Sequence, residues 1–390
     1  MKVKLNVILN PKGEESKTKI CIKIGGIKIL INLKEYGFYD NFEKQINDEE
    51  KQEGLIPARV ISVQKETYKI ISEQGENNAK LKGSNFYQDS KYQIYPAVGD
   101  FVLIKPNSMG DDVIYRVLNR QSYFSRLNPT MRNNIASASE QIVAANFDYV
   151  FIMASLNHDF NIRRLERYLA AAWQSGGTPV VLLTKADLCS DYEDMVSQVK
   201  EIAPAVEVLA VSSQTGLGME GLNQFLKPYK TLVFLGSSGI GKSSLVNALA
   251  KEQLMKVNFI REEDSKGHHT TTYRQLFKLE NGVLIIDTPG MRELGMWDVE
   301  VGLGETFSDI EELTNQCRFH DCSHKAEPGC AVKEALENGT LTTERWKSYE
   351  KLLKESQYSA KKADFMKRIS KNNKNTMRLQ HSSKIKYDEN

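Results

Sequence analysis

The amino-acid sequence predicts a multidomain α/β protein, in which a small β-barrel precedes a doubly wound α/β domain and a helical domain. Three observations divide the chain in this way. Short alternating strands occupy residues 54–127, near-continuous apolar strands alternate with helices over 128–300, and a cysteine cluster interrupts the helical pattern of 301–360. An N-terminal extension of open role, residues 1–53, and a basic tail, residues 361–390, complete the chain.

The length and charge of the chain limit the classes to which it can belong. With 390 residues, two or three domains are expected, and 52 basic against 50 acidic residues create no overall field that attracts nucleic acid. No apolar run approaches the roughly 20 residues that span a bilayer. The N-terminus has no basic-then-apolar signal peptide. We therefore expect a cytoplasmic protein with no membrane partner. A monomer is expected as well.

Residues 54–127 have the pattern of a small barrel. Its alternating strands, punctuated by glycines, cover residues 58–63, 67–71, 100–104 and 113–117. Several short strands at this spacing predict a barrel, and its size fits an N-terminal OB-fold β-barrel, with an SH3-like barrel as the alternative. In the extension, residues 20–33 predict a strand or hairpin, and the polar residues 41–53 predict a linker.

Near-continuous apolar runs mark the strands of the central domain. They cover residues 149–154, 179–183, 206–211, 231–235 and 282–286. Strands that are buried on both faces of a parallel sheet have this composition. A helix over residues 162–173, with Asn161 as its N-cap, is one of the connections. The alternation of strand and helix predicts a doubly wound parallel sheet.

A glycine-rich loop follows the strand at 231–235. Residues 236–243 match G-x-x-x-x-G-K-[ST], the loop that wraps nucleotide phosphates. Its glycines let backbone N–H groups turn toward the phosphates, Lys242 reaches the β and γ oxygens, and the Ser243 hydroxyl is a Mg²⁺ ligand. The predicted phosphate-binding residues are Gly236, Ser237, Ser238, Gly239, Ile240, Gly241, Lys242, Ser243 and Ser244.

Two downstream segments are predicted to complete a triphosphate site. Asp287, which follows the strand at 282–286, is placed to hold Mg²⁺ through water, and the Gly290 N–H is placed to contact the γ-phosphate. Between the glycine-rich loop and Asp287, a polar His-His-Thr-Thr-Thr run is predicted to be a switch segment. In it we expect Thr271, or failing that Thr270, to ligate Mg²⁺; a plain polar loop is the alternative interpretation.

A tetrapeptide after the strand at 179–183 predicts the choice of base: Thr184, Lys185, Ala186 and Asp187. The Asp187 carboxylate can accept hydrogen bonds from N1–H and the 2-amino group of guanine. Adenine offers neither, and a site built on such bonds rejects the analogue that lacks them. Lys185 would lie along the base, and Ser212 and Ser213 follow the next strand, where a second base-contacting loop belongs. GTP and GDP are the predicted ligands; an ATP-dependent kinase or transporter-like enzyme is the disfavoured alternative.

The order of these motifs differs from that of an ordinary GTPase. There the phosphate loop opens the domain and the guanine reader follows downstream, whereas here the reader precedes the phosphate loop. The sequence therefore predicts a circularly permuted P-loop GTPase domain. The permutation also makes the segment after Gly290 run directly into the C-terminal domain, to which the nucleotide state can be transmitted.

The machinery for hydrolysis is less complete in the sequence. Ras-like proteins orient the attacking water with a Gln just after Asp-x-x-Gly, and here that position is Met291, which cannot do so. The candidate catalytic residues are Lys242, Thr271 and His269, and a plain surface histidine is the alternative for His269. We expect slow intrinsic turnover that needs an outside partner. A nucleotide-gated binding module with negligible hydrolysis is the competing hypothesis.

Three cysteines and a histidine lie within 14 residues near the C-terminus: Cys317, Cys322, His324 and Cys330. A Cys₃His set closes a tetrahedral zinc site with four protein ligands, so the predicted Zn²⁺ is structural. His320 is the competing nitrogen ligand, and Cys21 and Cys189 are interpreted as plain thiols. This part of the chain is therefore predicted to be a C-terminal helical zinc-binding domain.

With these motifs in hand, the chain resembles the RsgA family, also called YjeQ, of bacterial GTPases that depend on the small ribosomal subunit. The resemblance covers residues 54–360 and rests on the permuted motif order, the His-Thr-Thr-Thr and Asp-Thr-Pro-Gly runs, and the Cys-x₄-Cys-x-His-x₅-Cys cluster. It implies an OB-fold, a permuted GTPase domain and a zinc domain. It also implies action late in 30S assembly, GTP hydrolysis stimulated by that subunit, and release of the mature particle.

The resemblance implies the 30S subunit and its 16S rRNA as partners. The barrel offers a groove for RNA. From Lys361 onward, nine basic residues against three acidic ones suit contact with phosphates; a solvated end is the alternative for this tail.

One departure from the family concerns Thr184, which stands where many members have Asn. We expect the lost amide contact to weaken guanine selection without abolishing it.

Overall fold

The computed structural model describes most of the chain. The described residues are 20–23, 26–64, 67–82, 95–127, 140–156, 160–237, 239–251, 274–287 and 300–361. Along this part of the chain, no helix combines the length and apolar character that crossing a membrane requires.

The N-terminal extension folds onto the barrel. It contains an antiparallel hairpin, as predicted, then a 3₁₀ turn and two short helices: β1 (Ile20–Lys23), β2 (Gly26–Ile29), Leu33–Tyr36, α1 (Asp40–Glu43) and α2 (Asp48–Gln52). The linker prediction for residues 41–53 is wrong. The reason is tertiary packing, since Phe42 and Ile46 are buried and the Phe42 ring lies 4.3 Å from that of Phe101. An Asn47–Glu50 capping box starts α2.

Five strands close into the predicted barrel: β3 (Ile56–Gln64), β4 (Thr67–Ser72), β5 (Gly75–Leu81), β6 (Phe101–Lys105) and β7 (Asp112–Val117). The strands pair in the order β3-β4-β5-β7-β6, and β6 pairs back with β3. All neighbours are antiparallel except β5 and β7, which are parallel. This order of closure is that of an OB-fold rather than an SH3-like barrel. Fully buried Val60, Ile70 and Ile114 fill its interior.

An antiparallel pair connects the barrel to the central domain: β8 (Tyr123–Leu127) and β9 (Glu140–Ala145). The Phe124 ring stacks on that of Phe147, with 4.9 Å between ring centroids. The chain then turns at Asn146, whose φ is 54°, in the left-handed region that Asn tolerates. The turn directs the chain into the first strand of the α/β domain.

The α/β domain is a sheet with helices in the connections, as the apolar runs predict. Its elements are β10 (Tyr149–Ser155), α3 (Ile162–Gln174), β11 (Thr178–Thr184), α4 (Tyr192–Ile202), β12 (Glu207–Val211), β13 (Thr231–Leu235), α5 (Lys242–Ala250), β14 (Arg274–Lys278) and β15 (Leu284–Asp287). The strand order is β12-β11-β10-β13-β15-β14, parallel except for β14. Asn161 accepts a hydrogen bond from the Arg164 N–H and so caps α3, as predicted.

The barrel and the α/β domain share one sheet. Strand β14 pairs antiparallel with β3, with Arg274 opposite Val63 and Gln275 opposite Ser62. The hydrogen-bonded ladder therefore runs from β12 through β14 into the barrel. Main-chain hydrogen bonds therefore contribute directly to the joint between the two domains.

A buried arginine fastens this joint. Arg59 of β3 is fully buried, and burial lowers its pKa to about 10, so it remains charged at neutral pH. Its guanidinium donates to the carbonyl oxygens of Gly99, Asn146 and Tyr36 and to the Thr231 hydroxyl, at 2.5–3.2 Å. One side chain thus binds the extension, the barrel and the α/β domain.

The C-terminal domain is helical: α6 (Glu300–Thr306), α7 (Ser308–Asn315), α8 (Ala331–Asn338) and α9 (residues 343–361). Buried Leu303, Phe307 and Val332 form its core together with Ala170 of α3. Helix α6 lies close against α3, since a Cβ at Gly302 would stand 1.9 Å from the carbonyl oxygen of Ala170. Only glycine permits this approach.

A buried carboxylate fastens the C-terminal joint. Glu166 of α3 is fully buried and accepts hydrogen bonds from Arg163, Arg345 and the Ser348 hydroxyl. Arg345 also makes two hydrogen bonds of 2.7 Å with Asp309. The C-terminal domain is therefore docked on α3 through side chains rather than through a shared sheet.

Candidate nucleotide site and metal centre

The predicted nucleotide residues meet where parallel strands end. Strands β11, β12 and β13 end at Thr184, Val211 and Leu235, and the reader, the second base loop and the phosphate loop follow them. Ligands of open α/β sheets bind in the crevice at the carboxyl ends of the strands. The sheet therefore brings together three segments that are separate in the sequence.

A cavity of about 250 Å³ lies between these loops. Its lining residues are Thr184, Lys185, Asp187, Leu188, Val211, Ser212, Ser213, Gln214, Gly241, Ser244 and Leu245. They include both predicted base-contacting segments and the end of the phosphate loop. Gln214 belongs to the predicted second loop, whereas Leu188 is a lining residue that the motifs do not predict. Leu188 is 70% exposed and offers the apolar surface that a base ring can cover.

The backbone directs the reader into the cavity. Lys185 has a φ of 58°, in the left-handed region, and a 3₁₀ turn, Ala186–Leu188, follows it. This tight turn lets Lys185, Asp187 and Leu188 all line one cavity although they are neighbours in sequence. Ala186 is buried beneath them. On the other side of the cavity, the Ser212 hydroxyl accepts hydrogen bonds from the backbone N–H groups of Gln214 and Thr215. These bonds stabilise the turn of the second base loop.

Thr184 ties the reader to the phosphate loop. Its hydroxyl donates a 2.7 Å hydrogen bond to the carbonyl oxygen of Ile240, and the side chain is 5% exposed. The sequence predicts only that Thr in place of Asn loses an amide contact. The structure adds that the hydroxyl spans the gap between the two loops, so that the base cavity and the phosphate loop are held in a fixed relation.

The phosphate loop has positive φ angles at glycine positions, a backbone conformation that other residues rarely adopt. Gly236 and Gly241 have φ angles of 156° and 98°, and a Cβ at Gly236 would stand 2.9 Å from the carbonyl oxygen of Met153. Helix α5 begins at Lys242, so its free N–H groups face the loop, as anion binding requires. The Lys242 ammonium lies 2.5 Å from the Asp287 carboxylate. The structure thus brings the predicted phosphate ligand and the predicted magnesium ligand into contact.

An arginine that no motif indicates also reaches this loop. Arg164, in the first turn of α3, donates a 2.8 Å hydrogen bond from Nη1 to the Ser237 hydroxyl. The sequence around it is a helical run of basic, acidic and apolar residues, from which its contact with Ser237 cannot be predicted.

Several predicted site residues fall outside the described part of the chain. They are Ser238, His269, Thr270, Thr271, Gly290 and Met291. Their roles stay predictions from the sequence. Most of the basic tail, residues 362–390, is outside it as well.

The four predicted zinc ligands converge in the C-terminal domain. The ligand atoms of Cys317, Cys322, His324 and Cys330 all lie within 4.8 Å of one another. His324 Nδ1 is 3.5 Å from the sulfurs of Cys317 and Cys330, and these sulfurs are 3.9 Å apart. Tetrahedral zinc with its usual bond lengths separates such atoms by about 3.5–3.8 Å. The cluster can therefore hold a zinc ion, and His320 is not part of it.

The loop that carries the ligands is held from several sides. Cys330 caps α8, and its sulfur accepts the Lys333 N–H. Trp346 of α9 packs edge-on against the His324 ring, with 5.5 Å between centroids. The Ser323 hydroxyl, together with backbone N–H groups of the loop, holds the Glu327 carboxylate and lowers its pKa to about 2. These contacts preform the ligand geometry, as a structural metal site requires.

Comparison with known sequences finds close relatives. A sequence model described as RsgA GTPase matches residues 117–297. The small ribosomal subunit biogenesis GTPase RsgA 2 of Listeria monocytogenes serotype 4b is 48% identical over 332 residues, which cover 85% of this chain and 91% of the relative. The protein of the same name from Lactiplantibacillus plantarum is 41% identical over 330 residues, with the same two coverages of 85% and 91%.

Solved structures share the architecture. YjeQ from Thermotoga maritima aligns with a TM-score of 0.57 at 28% identity, over 77% of this chain and 98% of that one. YloQ, described as a circularly permuted GTPase, aligns with a TM-score of 0.51 at 24% identity, over 82% of this chain and 96% of its own. The likeness to YloQ concerns the fold, and it agrees with the permuted order that the motifs predict.

Proposed function

The chain belongs to the RsgA family of GTPases, and we propose that it hydrolyses GTP to GDP and phosphate on the small ribosomal subunit and so assists late maturation of that subunit. The observation that carries the proposal is the cavity in which the reader, the second base loop and the end of the phosphate loop meet. The Thr184 hydroxyl fixes these loops relative to one another. A ligand that fills the cavity with its base therefore places its phosphates along the glycine-rich loop.

Guanine selection would depend on Asp187. Its carboxylate lines the cavity, where it would accept the N1–H and 2-amino groups of guanine. Lys185 and Leu188 would cover the faces of the base, and the Ser213 segment would close its edge. Adenine offers no matching pair of donors, so ATP would leave the carboxylate without partners in the cavity.

The phosphates would rearrange the contact between Lys242 and Asp287. In the structure the two side chains neutralise each other. A bound triphosphate would draw the Lys242 ammonium to the β and γ oxygens. Asp287, freed from this partner, would join Ser243 and Thr271 in holding Mg²⁺, which neutralises phosphate charge when it is bound. The Gly290 N–H would contact the γ-phosphate.

Hydrolysis would combine groups of this chain with a stimulus from the subunit. Lys242 would stabilise charge on the phosphates, and His269 would orient the attacking water, a task that Met291 cannot perform. Because His269 and Thr271 lie on the predicted switch segment, contact with the subunit would place them for the reaction. We therefore expect slow turnover by the isolated chain and faster turnover on the subunit.

The barrel and the basic tail would contact 16S rRNA. Four exposed lysines stand on the barrel strands or directly after them: Lys69, Lys80, Lys82 and Lys105. The Lys82 ammonium lies 4.0 Å from the centre of the Tyr115 ring, a pairing of cation and aromatic surface that suits nucleic acid.

The C-terminal domain would hold one structural Zn²⁺ with no open position for water. We propose that the protein acts in the cytoplasm as a monomer.

The test is GTP turnover by the purified chain with and without 30S subunits. We expect the subunits to raise turnover by at least about tenfold, and ATP to compete poorly. Asp187→Asn is the matched control, because the amide reverses one hydrogen bond: it should lose GTP turnover and gain turnover of xanthosine triphosphate. Turnover that 30S leaves unchanged at every salt concentration would refute the proposal. Tight nucleotide-dependent binding without single-turnover hydrolysis would favour a nucleotide-gated binding module.

A further inference from the structure

The first turn of α3 lies over the opening of the phosphate loop. Arg164 extends from this turn, and its Nη1 donates to the Ser237 hydroxyl at 2.8 Å. Its backbone is fixed, because its N–H is bound by the Asn161 cap and buried Leu165 anchors the turn in the core. The guanidinium is therefore held beside the second residue of the loop by a rigid element.

Ser237 belongs to the end of the loop that is remote from the base. The cavity is lined by Gly241, Ser244 and Leu245, from the end of the loop and the start of α5, and among the described residues it takes none from the opening at Gly236 and Ser237. A nucleotide whose base fills the cavity thus extends its phosphates toward the opening of the loop. The terminal phosphate would lie within reach of Arg164.

The neighbouring arginines of α3 face elsewhere. Arg163 pairs with Glu166 at 3.2 Å, and Arg167 pairs with Glu355 of α9 at 2.9 Å. Both contacts belong to the joint with the C-terminal domain. Of these three arginines, Arg164 is the one that the structure places against the phosphate loop.

A positive charge at this position would favour the reaction. Phosphoryl transfer passes through a transition state in which charge spreads over the γ-phosphate oxygens and the bridging oxygen, and an arginine supplied within the same chain stabilises that charge in some GTPases. Building on the proposed GTPase function, we propose that Arg164 is a catalytic residue whose guanidinium contacts the γ-phosphate of GTP. The Ser237 hydroxyl holds this guanidinium before the triphosphate arrives.

The step is a simple displacement. The water oxygen forms a bond to the γ-phosphorus while the bond from that phosphorus to the bridging oxygen breaks, and the electron pair of the broken bond stays on GDP. The proton that the water loses leaves with the phosphate product. Arg164 remains protonated throughout, since a guanidinium does not act as an acid near neutral pH. Its contribution is charge and geometry.

The experiment compares Arg164→Ala and Arg164→Lys with Arg163→Ala, a control of the same chemistry on the same helix. Affinities for GDP and for a non-hydrolysable GTP analogue are measured without subunits, and single-turnover hydrolysis is measured with saturating 30S. For Arg164→Ala we expect unchanged GDP affinity, about tenfold weaker binding of the triphosphate analogue, and hydrolysis slower by at least about 100-fold. Lysine should restore part of the binding, and Arg163→Ala should stay within about twofold of the wild type.

Two outcomes would overturn the inference. If Arg164→Ala binds GDP and the analogue as the wild type does and hydrolyses GTP at the wild-type rate, the side chain does not touch the γ-phosphate. If GDP and analogue affinities fall together, with a lower melting temperature, Arg164 only supports the loop. The binding ratio needs no subunit, so a chain that 30S fails to stimulate would refute the proposed function while the ratio still tests Arg164.

Discussion

The two joints of the α/β domain each bury one charged side chain, and the two charges are satisfied in opposite ways. Arg59, at the barrel, donates to carbonyl oxygens and a hydroxyl, beside a sheet that continues from one domain into the other. Glu166, at the C-terminal domain, is held by Arg345 and Ser348 on a helix that lies against α3. The first is a fused joint, in which backbone hydrogen bonds continue one sheet across both domains. The second is a docked joint, in which side chains make the contacts. Movement in response to nucleotide is therefore expected at the second.

Among the tests that distinguish the two joints, removal of zinc should have the largest effect on stability. The free energy with which structural zinc sites bind their metal is about 10 kcal/mol or more. We expect a strong chelator to unfold the C-terminal domain while β3 to β15 keep their protection from hydrogen exchange, because the fused joint does not depend on the metal. The measurement is hydrogen exchange by mass spectrometry, together with the zinc content of the chain.

Matched variants separate zinc loss from general damage. Cys322→Ser should abolish stoichiometric zinc, whereas Cys189→Ser and His320→Ala, which lie outside the cluster, should retain one zinc per chain. Loss of protection in the barrel together with the C-terminal domain would contradict the difference between the joints.

Arg59→Met removes the buried guanidinium from the fused joint. Methionine fills part of the volume but leaves three carbonyl oxygens and the Thr231 hydroxyl without their donor. We expect a loss of about 3–5 kcal/mol in the free energy of unfolding, shared by barrel and α/β domain because the sheet is common to both. Urea unfolding followed by fluorescence and circular dichroism measures it.

Arg116→Met is the control for that substitution. Arg116 pairs with Glu50 near the surface, with 36% of its side chain exposed, so its loss should cost about 1 kcal/mol. Equal effects of the two substitutions would mean that burial of Arg59 has no special role.

Glu166→Gln tests the docked joint and should have a smaller effect than zinc removal or Arg59→Met. The amide keeps the shape of the carboxylate but loses its charge toward Arg345, which still has Asp309 as a partner. We expect a loss of about 1–3 kcal/mol, confined to the C-terminal domain. Limited proteolysis between the α/β and C-terminal domains should become faster. Glu355→Gln, which removes the more exposed partner of Arg167, should have a smaller effect, and an effect that spreads to the barrel would argue against independent joints.

The parts of the fold that the sequence predicts are those with a local pattern. The apolar runs of β10, β11 and β13 and the motifs that follow them are contiguous, so the sheet and the permutation could be predicted, and so could the loops that line the cavity. The same holds for the cysteine spacing. The helices α1 and α2 were not predicted because each has only four or five residues, too few for a periodic pattern, and α1 is stabilised by the packing of buried Phe42.

The joints and Arg164 could not be predicted because their partners are distant in sequence. Arg59 meets Thr231 across 172 positions, and Glu166 meets Arg345 across 179. In the sequence these residues look like ordinary surface charges, which usually remain exposed. Only the fold determines that they are buried and paired, and the same reasoning applies to the contact of Arg164 with Ser237.

The shared sheet has a consequence for any attempt to take the protein apart. Strand β14 is covered by β3 in the whole chain, so a fragment that begins after the barrel would leave its main-chain N–H and C=O groups as an open edge. Open edges pair with other chains and promote aggregation. A division near residue 127, where the sequence pattern changes, would therefore yield a GTPase fragment that aggregates. The barrel would thus have a second role besides any contact with RNA: it covers the edge of β14 and so protects the GTPase domain from self-association.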